Sequence, residues 1–244
     1  MKLKRKIHFA IAKCKNTIKV KKYSSKNGGG NKLNIDGTLL PHIKLSIHGT
    51  NNDISLTNIS CSGNSRITID ICGDNNTIKI DSVSISDKLS LILGQSHEYF
   101  GPIKNSKFII NNNTSIESLE YVTYNSNTEC KIGKDCMLSY SIVMYNTDAH
   151  AILEYPSNKR VNYVKGIFVG NHCWIGRNVT IMRNTVIPDD CIIGAYSVVS
   201  GKLKSSHSIY AGNPVKLIKA NRTWSSNGKR YGYIDNDIHR NIHY

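Results

Sequence analysis

Between Val169 and Lys204 the chain repeats in sixes: VGNHCW, IGRNVT, IMRNTV, IPDDCI, IGAYSV, VSGKLK. Val169, Ile175, Ile181, Ile187, Ile193 and Val199 hold the first position of six consecutive units. Cys173, Val179, Thr185, Cys191 and Ser197 hold the fifth, always a small or β-branched residue, and Gly170, Gly176 and Gly194 stand second. Upstream, Ile132, Leu138 and Met144 keep the same spacing, with Gly133 second and Cys136 fifth. Such a unit makes one short strand and one corner; it is too short for a helix and out of step with a hairpin sheet. Three units close one coil of a triangular parallel β-solenoid, where first-position aliphatics stack in register and each coil buries what its neighbour would expose. The expected fold class is therefore all-β, with Cys136, Cys173 and Cys191 as small core fillers rather than catalytic thiols.

The preceding stretch carries a looser rhythm. IHGTNNDISL (47–56) and ICGDNNTIKI (71–80) are one phrase, I-x-G-x-N-N-x-I-x closed by Leu or Ile, twenty-four residues apart. Alternating Ile and Leu predict short strands, and Gly and Asn supply the positive φ that tight corners need. The chain divides into a basic N-terminal arm or helix (1–28), irregular β-solenoid coils (29–127), a hexapeptide-repeat core (128–220) with an inserted loop at about 146–166, and a C-terminal tail (221–244). In the arm, Leu3, Ile7, Ala10, Ile11 and Ile18 recur at roughly helical spacing among many lysines, which fits a solvated arm, a short packed helix or a helix lying on a membrane surface.

A chain of 244 residues buries a core without disulfide help. Seven cysteines, an odd number without C-x-x-C pairs, fit neither a disulfide framework nor a zinc site. The basic N-terminus has too short an apolar centre and lacks the small-residue cleavage site of a signal peptide, and no run of about 18 uncharged apolar residues is present. The expectation is a cytoplasmic protein, peripheral to the inner membrane if the basic arm meets anionic lipid. A net charge of +15 points to a polyanionic partner.

The sixes fail between Met144 and Val169, where YNTDAHAILEYPSNKRVNYVKG intervenes. An insertion cannot join the solenoid wall, so it leaves as a loop at one edge, the usual place for function in such scaffolds.

The clean repeat, an aliphatic residue followed by Gly and then a small residue at the fifth place, resembles the hexapeptide-repeat acyltransferases, whose fold is a left-handed parallel β-helix. DAH (148–150), WIG (174–176), IIGAYSVVSGKLK (192–204) and IYAGNPVKLIK (209–219) together resemble the capsule and lipopolysaccharide O-acetyltransferases, the polysialic acid type included. The resemblance implies transfer of acetyl from acetyl-CoA to a saccharide hydroxyl. A sugar hydroxyl does not ionise unaided near neutral pH. A positioned imidazole, with an ordinary pKa of about 6.5, suits its deprotonation and contributes about 10²–10⁴-fold.

His150 is the candidate base. Asp148, two residues earlier, either accepts from the other ring nitrogen or bonds its own loop backbone. Trp174, at an outward sixth position, belongs either to a subunit interface or, by resemblance, beside the coenzyme arm near the thioester. The same resemblance assigns pantetheine contacts to the backbone at Ala195 and Ser200, and phosphate contacts to Lys216 and Lys219 with help from Arg222. Arg177 follows WIG where a small polar residue is common, and Tyr196 replaces a small residue in a way that narrows the groove. Tyr145, Asn146, Lys159 and Arg160 are the acceptor-binding candidates. Family likeness further implies a homotrimer, with His150 of one chain facing coenzyme on the next.

Other functions fit less well. The zinc hydratases built on this helix need three His ligands, and among His8, His42, His48, His97, His150, His172, His207, His239 and His243 no suitable close pair lies on the clean coils, so no metal is expected. Nucleic-acid binding through the basic, Tyr-rich ends lacks a motif. A catalytically dead scaffold leaves His150, Trp174 and the closing phrases unexplained. An acidic glycan suits the charge, with Lys159 and Arg160 meeting its carboxylates, while a free sugar, a nucleotide sugar or an antibiotic is the alternative acceptor.

Overall fold

The computed structural model describes residues 29–39, 41–95 and 100–226. The basic arm of residues 1–28 and the end of the tail lie outside the described residues. From Lys32 to Ala211 the chain winds as the parallel β-helix expected, a three-walled prism in which every strand pairing but the last is parallel. The first wall stacks Lys32–Ile35, Asp53–Thr57, Thr77–Asp81, Lys107–Ile110, Glu129–Ile132, Gly166–Val169 and Val186–Ile187. The second contains Ser60–Cys61, Met137–Leu138, Trp174–Ile175, Cys191–Ile193 and Ser208–Ala211. The third contains Ile43–His48, Arg66–Asp74, Ile142–Tyr145, Thr180–Met182 and Val198–Val199. Two long strands, Val83–Leu93 and Thr114–Thr123, run through both the second and third walls. Lys216–Ala220 then folds back antiparallel on Ser208–Ala211.

Burial follows the six-residue register. Val169, Ile175, Ile181, Ile187, Ile193 and Val199 are buried, as are all five fifth-position residues. The fourth position, His172, Asn178, Asn184, Asp190 and Tyr196, holds a positive φ in the first five units and turns the corners. Second-position glycines are required by contact: a Cβ on Gly133 would lie 2.4 Å from the Gly170 carbonyl oxygen, and one on Gly176 would lie 2.7 Å from the Ala195 nitrogen.

In the looser half the Asn-Asn phrase does two jobs. Asn51 and Asn75 take positive φ at the corner. Asn52 and Asn76, fully buried, point inward and stack. The Asn76 amide donates to Asn52 Oδ1 at 3.1 Å, and Asn52 donates to Asn31 Oδ1 at 3.1 Å, so the buried polar groups satisfy one another coil to coil. Lys107–Ile110 pairs Glu129–Ile132 in full register, so the loose and the clean repeats form one continuous stack.

Candidate active site

The prism has one edge where the third wall turns into the first. Asn51, Asn75, Asn127 and Asn184 make that turn compactly, and Asn105 closes a longer excursion that follows Val83–Leu93. After Ile142–Tyr145 it instead releases the inserted loop, and Gly166–Val169 resumes the first wall. The loop opens with a tight turn. Thr147 Oγ1 accepts from the Ala149 amide at 2.9 Å, Ala149 has φ 61°, and the His150 amide donates to the Asp148 carbonyl at 2.6 Å. This turn carries His150 outward, with its imidazole 6.4 Å from the Phe100 ring.

Asp148 does not hold that imidazole. Its Oδ2 accepts from Arg183 Nε and from Asn162 Nδ2 at 2.8 Å, and among the described residues no hydrogen bond joins the carboxylate to the His150 ring. Asn162 also donates to the His150 carbonyl at 2.7 Å and accepts from the Ile152 amide at 2.9 Å and from Arg160 Nε at 3.0 Å. Arg183, Asp148 and Asn162 therefore tie the two ends of the loop to the wall. They fix where His150 stands, rather than which ring nitrogen carries the proton.

Asn146 was expected to meet the acceptor, but it is fully buried. It continues the inward–outward alternation of the strand before it: Met144 in, Tyr145 out, Asn146 in. Its amide donates to the Tyr121 hydroxyl at 3.0 Å, and its backbone carbonyl accepts from Thr123. Burial lifts the Tyr121 phenol far above its ordinary range, so it stays a neutral donor and acceptor beneath the turn. Tyr145 is 41% exposed and Lys159 is exposed. Arg160 lies over the Tyr163 ring at 5.7 Å.

Trp174 lies on the second wall, across the prism from the edge that releases His150. The chain does not bring the two together. Trp174 pairs in register with Met137 and Ile192, Ile192 with Ile209, and Ile209 with Lys219. All five side chains lie outside the buried core, so Trp174 and Lys219 share one outward row. Three strand spacings separate them, roughly 14 Å. Such a row fits an extended anionic ligand, with the indole at its reactive end and an ammonium at its charged end. Lys216 pairs with Ala211 near the other end of the returning strand. Ala195 and Tyr196 are exposed at the edge between the second and third walls, where Arg177 sits 5.9 Å from the Tyr140 ring, whereas Ser200, also exposed, follows Val198–Val199 at the turn from the third wall into the first.

Sequence reasoning missed the neighbour of Trp174. The start of the tail returns to the edge between the first and second walls. Trp224 stacks there on His172 at 4.7 Å, donates its indole N–H to the His172 carbonyl at 2.8 Å, and lies 6.1 Å from the Trp174 ring. Asp190 braces the imidazole at 2.6 Å and contacts His207 at 3.4 Å. A groove of about 650 Å³ runs beside them, lined by Thr114, Ser115, Cys136, Met137, His172 and Trp224. Nothing in the repeat pattern signals this docking, since a tail has no register; only the scarcity of Trp marked it.

Comparison with known proteins agrees with this geometry. The bacterial transferase hexapeptide (six repeats) model matches residues 166–201. The chain is 30% identical over 205 residues to the polysialic acid O-acetyltransferase of Neisseria meningitidis, covering 82% of this chain and 88% of that protein. It is 35% identical over 127 residues to the polysialic acid O-acetyltransferase of Escherichia coli O1:K1, where the match spans 40% of the relative. Among solved structures, the polySia-specific acetyltransferase NeuO superposes with TM-score 0.62 at 28% identity, over 83% of this chain and 88% of that one. The polysialic acid O-acetyltransferase OatWY gives TM-score 0.62 at 27% identity, over 84% and 91%. With this shared prism and a match along most of the meningococcal protein, the chain belongs to the polysialic acid O-acetyltransferase family of hexapeptide-repeat transferases.

Proposed function

We propose that this protein moves an acetyl group from acetyl-CoA to a hydroxyl of a bacterial surface glycan, an acidic sialic-acid-type polymer, with His150 as general base. The observation that carries this reading is the inserted turn, which lifts one imidazole off the wall and is pinned there by Asp148, Asn162 and Arg183. The thioester supplies the activated acetyl group. His150 takes the hydroxyl proton as the sugar oxygen forms its bond to the acetyl carbon, then returns that proton to the departing sulfur. Trp174 flanks the thioester end and Lys219 the phosphate end of the outward row, which supports the donor assignment. The net charge of +15, with Lys159 and Arg160 on the inserted loop, supports an acidic acceptor.

That His150 and Trp174 stand on opposite sides of one prism supports a site completed between copies of the chain, and on this reading the assembly is the homotrimer that the family resemblance implies. The test is acetyl-CoA turnover against a panel of acidic and neutral glycans. His150→Ala is expected to lose about 10²–10⁴-fold in kcat, and Trp174→Ala to raise the KM for acetyl-CoA. Full activity in His150→Ala would remove the imidazole from the chemistry, and equal, salt-insensitive turnover of neutral sugars would overturn the acidic acceptor.

A further inference from the structure

The edge that releases His150 changes character there. Asparagines turn its corners, Asn105 and Asn127 among them, and beside the insertion it also carries aromatic rings from three successive coils. Phe100 comes from the segment after Val83–Leu93, Tyr124 directly follows Thr114–Thr123, and Tyr145 ends Ile142–Tyr145. Phe100 and Tyr124 stack with centroids 4.3 Å apart and planes 14° apart. The same Phe100 ring lies 6.4 Å from the His150 imidazole, tilted 53°. Both stacked rings are half-buried, while Tyr145 is 41% exposed and His150 is exposed, so the cluster steps from the wall out to the imidazole.

Anchoring the Phe100 segment does not require this stack. The Gly94 amide already donates to the Thr123 carbonyl at 2.8 Å, and the Gln95 amide to the Gly101 carbonyl at 3.3 Å. A half-buried stack beside a reactive group is how carbohydrate is commonly seated. The C–H face of a pyranose is apolar and packs on an aromatic ring, leaving its hydroxyls at the rim. Aromatic surface of this kind also excludes water while a few polar groups fix orientation.

We propose that Phe100, Tyr124 and Tyr145 form the acceptor subsite: a platform on which one N-acetylated, carboxylate-bearing sugar unit of the glycan lies, with the hydroxyl to be acetylated turned to His150. The N-acetyl methyl adds apolar contact to the rings, and the carboxylate faces Lys159 and Arg160 on the same inserted loop. This deepens the reading of His150 as base and rests on it.

The experiment uses the full chain with a sialic-acid oligomer as acceptor, and separates glycan acetylation from glycan-independent hydrolysis of acetyl-CoA. Phe100→Ala and Tyr124→Ala are expected to raise the glycan KM roughly tenfold. The KM for acetyl-CoA and the hydrolysis rate are expected to stay near wild type, and Phe100→Trp to restore the glycan KM. Where an alanine variant fails to fold, Phe100→Leu keeps the apolar bulk without the ring and is still expected to raise the glycan KM. An unchanged glycan KM in folded variants overturns the platform, as does an equal loss of glycan transfer and hydrolysis. The two readings fail separately. An active His150→Ala removes the base, whereas an inactive His150→Ala alongside an unmoved glycan KM removes the platform alone.

Discussion

Ala149 holds a left-handed backbone with a β-carbon attached, at φ 61°, which costs on the order of 1 kcal/mol that glycine would not incur. Ala149→Gly is therefore expected to raise stability by up to about 1 kcal/mol, read as a higher Tm, with kcat within about twofold because the His150 turn is still pinned by Asn162 and Asp148. Around this residue the sequence was legible in part. The interrupted sixes marked His150 as the side chain leaving the wall. Closeness in sequence left Asp148 either accepting from that ring or bonding its own loop backbone, but the carboxylate is claimed by Arg183 from the next coil and Asn162 from the far end of the loop, contacts that only the folded chain brings together. Asn146 was misjudged because a polar residue beside a loop looks accessible. Its alternation with Met144 and Tyr145 was the stronger signal, and it pointed inward.

The inserted loop and the wall beneath it have separate energetics. Ile152, Leu153, Tyr155, Val161 and Tyr163 are all more than half exposed, so the loop adds little to the core of one chain. Replacing residues 147–165 with a short corner like Arg183–Thr185 is expected to leave the strand pairing intact, with a stability change within about 1 kcal/mol, while abolishing acetyl transfer. Circular dichroism on heating and a turnover assay check the two halves of that expectation. A collapse of the fold would show that the loop is structural.

The clean coils could be read from the sequence because one aliphatic residue every six is a demand that only a stacked wall makes. The looser coils were legible as a repeated phrase, though not in the role of its second asparagine. A buried Asn52 looks like a loop residue until Asn31 and Asn76 are seen above and below it. Trp224 and the Phe100–Tyr124 stack escaped for a related reason: each joins segments that no repeat relates.

At the scale of the molecule, one prism carries the imidazole on an edge and the indole on the wall opposite. If sites form between chains, two inactive variants can rescue one another. Mixing His150→Ala and Trp174→Ala chains before assembly is expected to restore about a quarter of wild-type activity, since random mixing leaves that share of junctions with both side chains. Mixtures no better than the single variants would place the complete site within one chain.

The last strand has a further effect. Every other pairing in the prism is parallel, a mode that one more rung could always extend, yet Lys216–Ala220 lies across the second wall in reverse and presents lysines. A parallel rung arriving end-on there meets reversed backbone and like charge, both of which oppose extension of the stack along that wall. On the second wall, one strand guards the end of the stack.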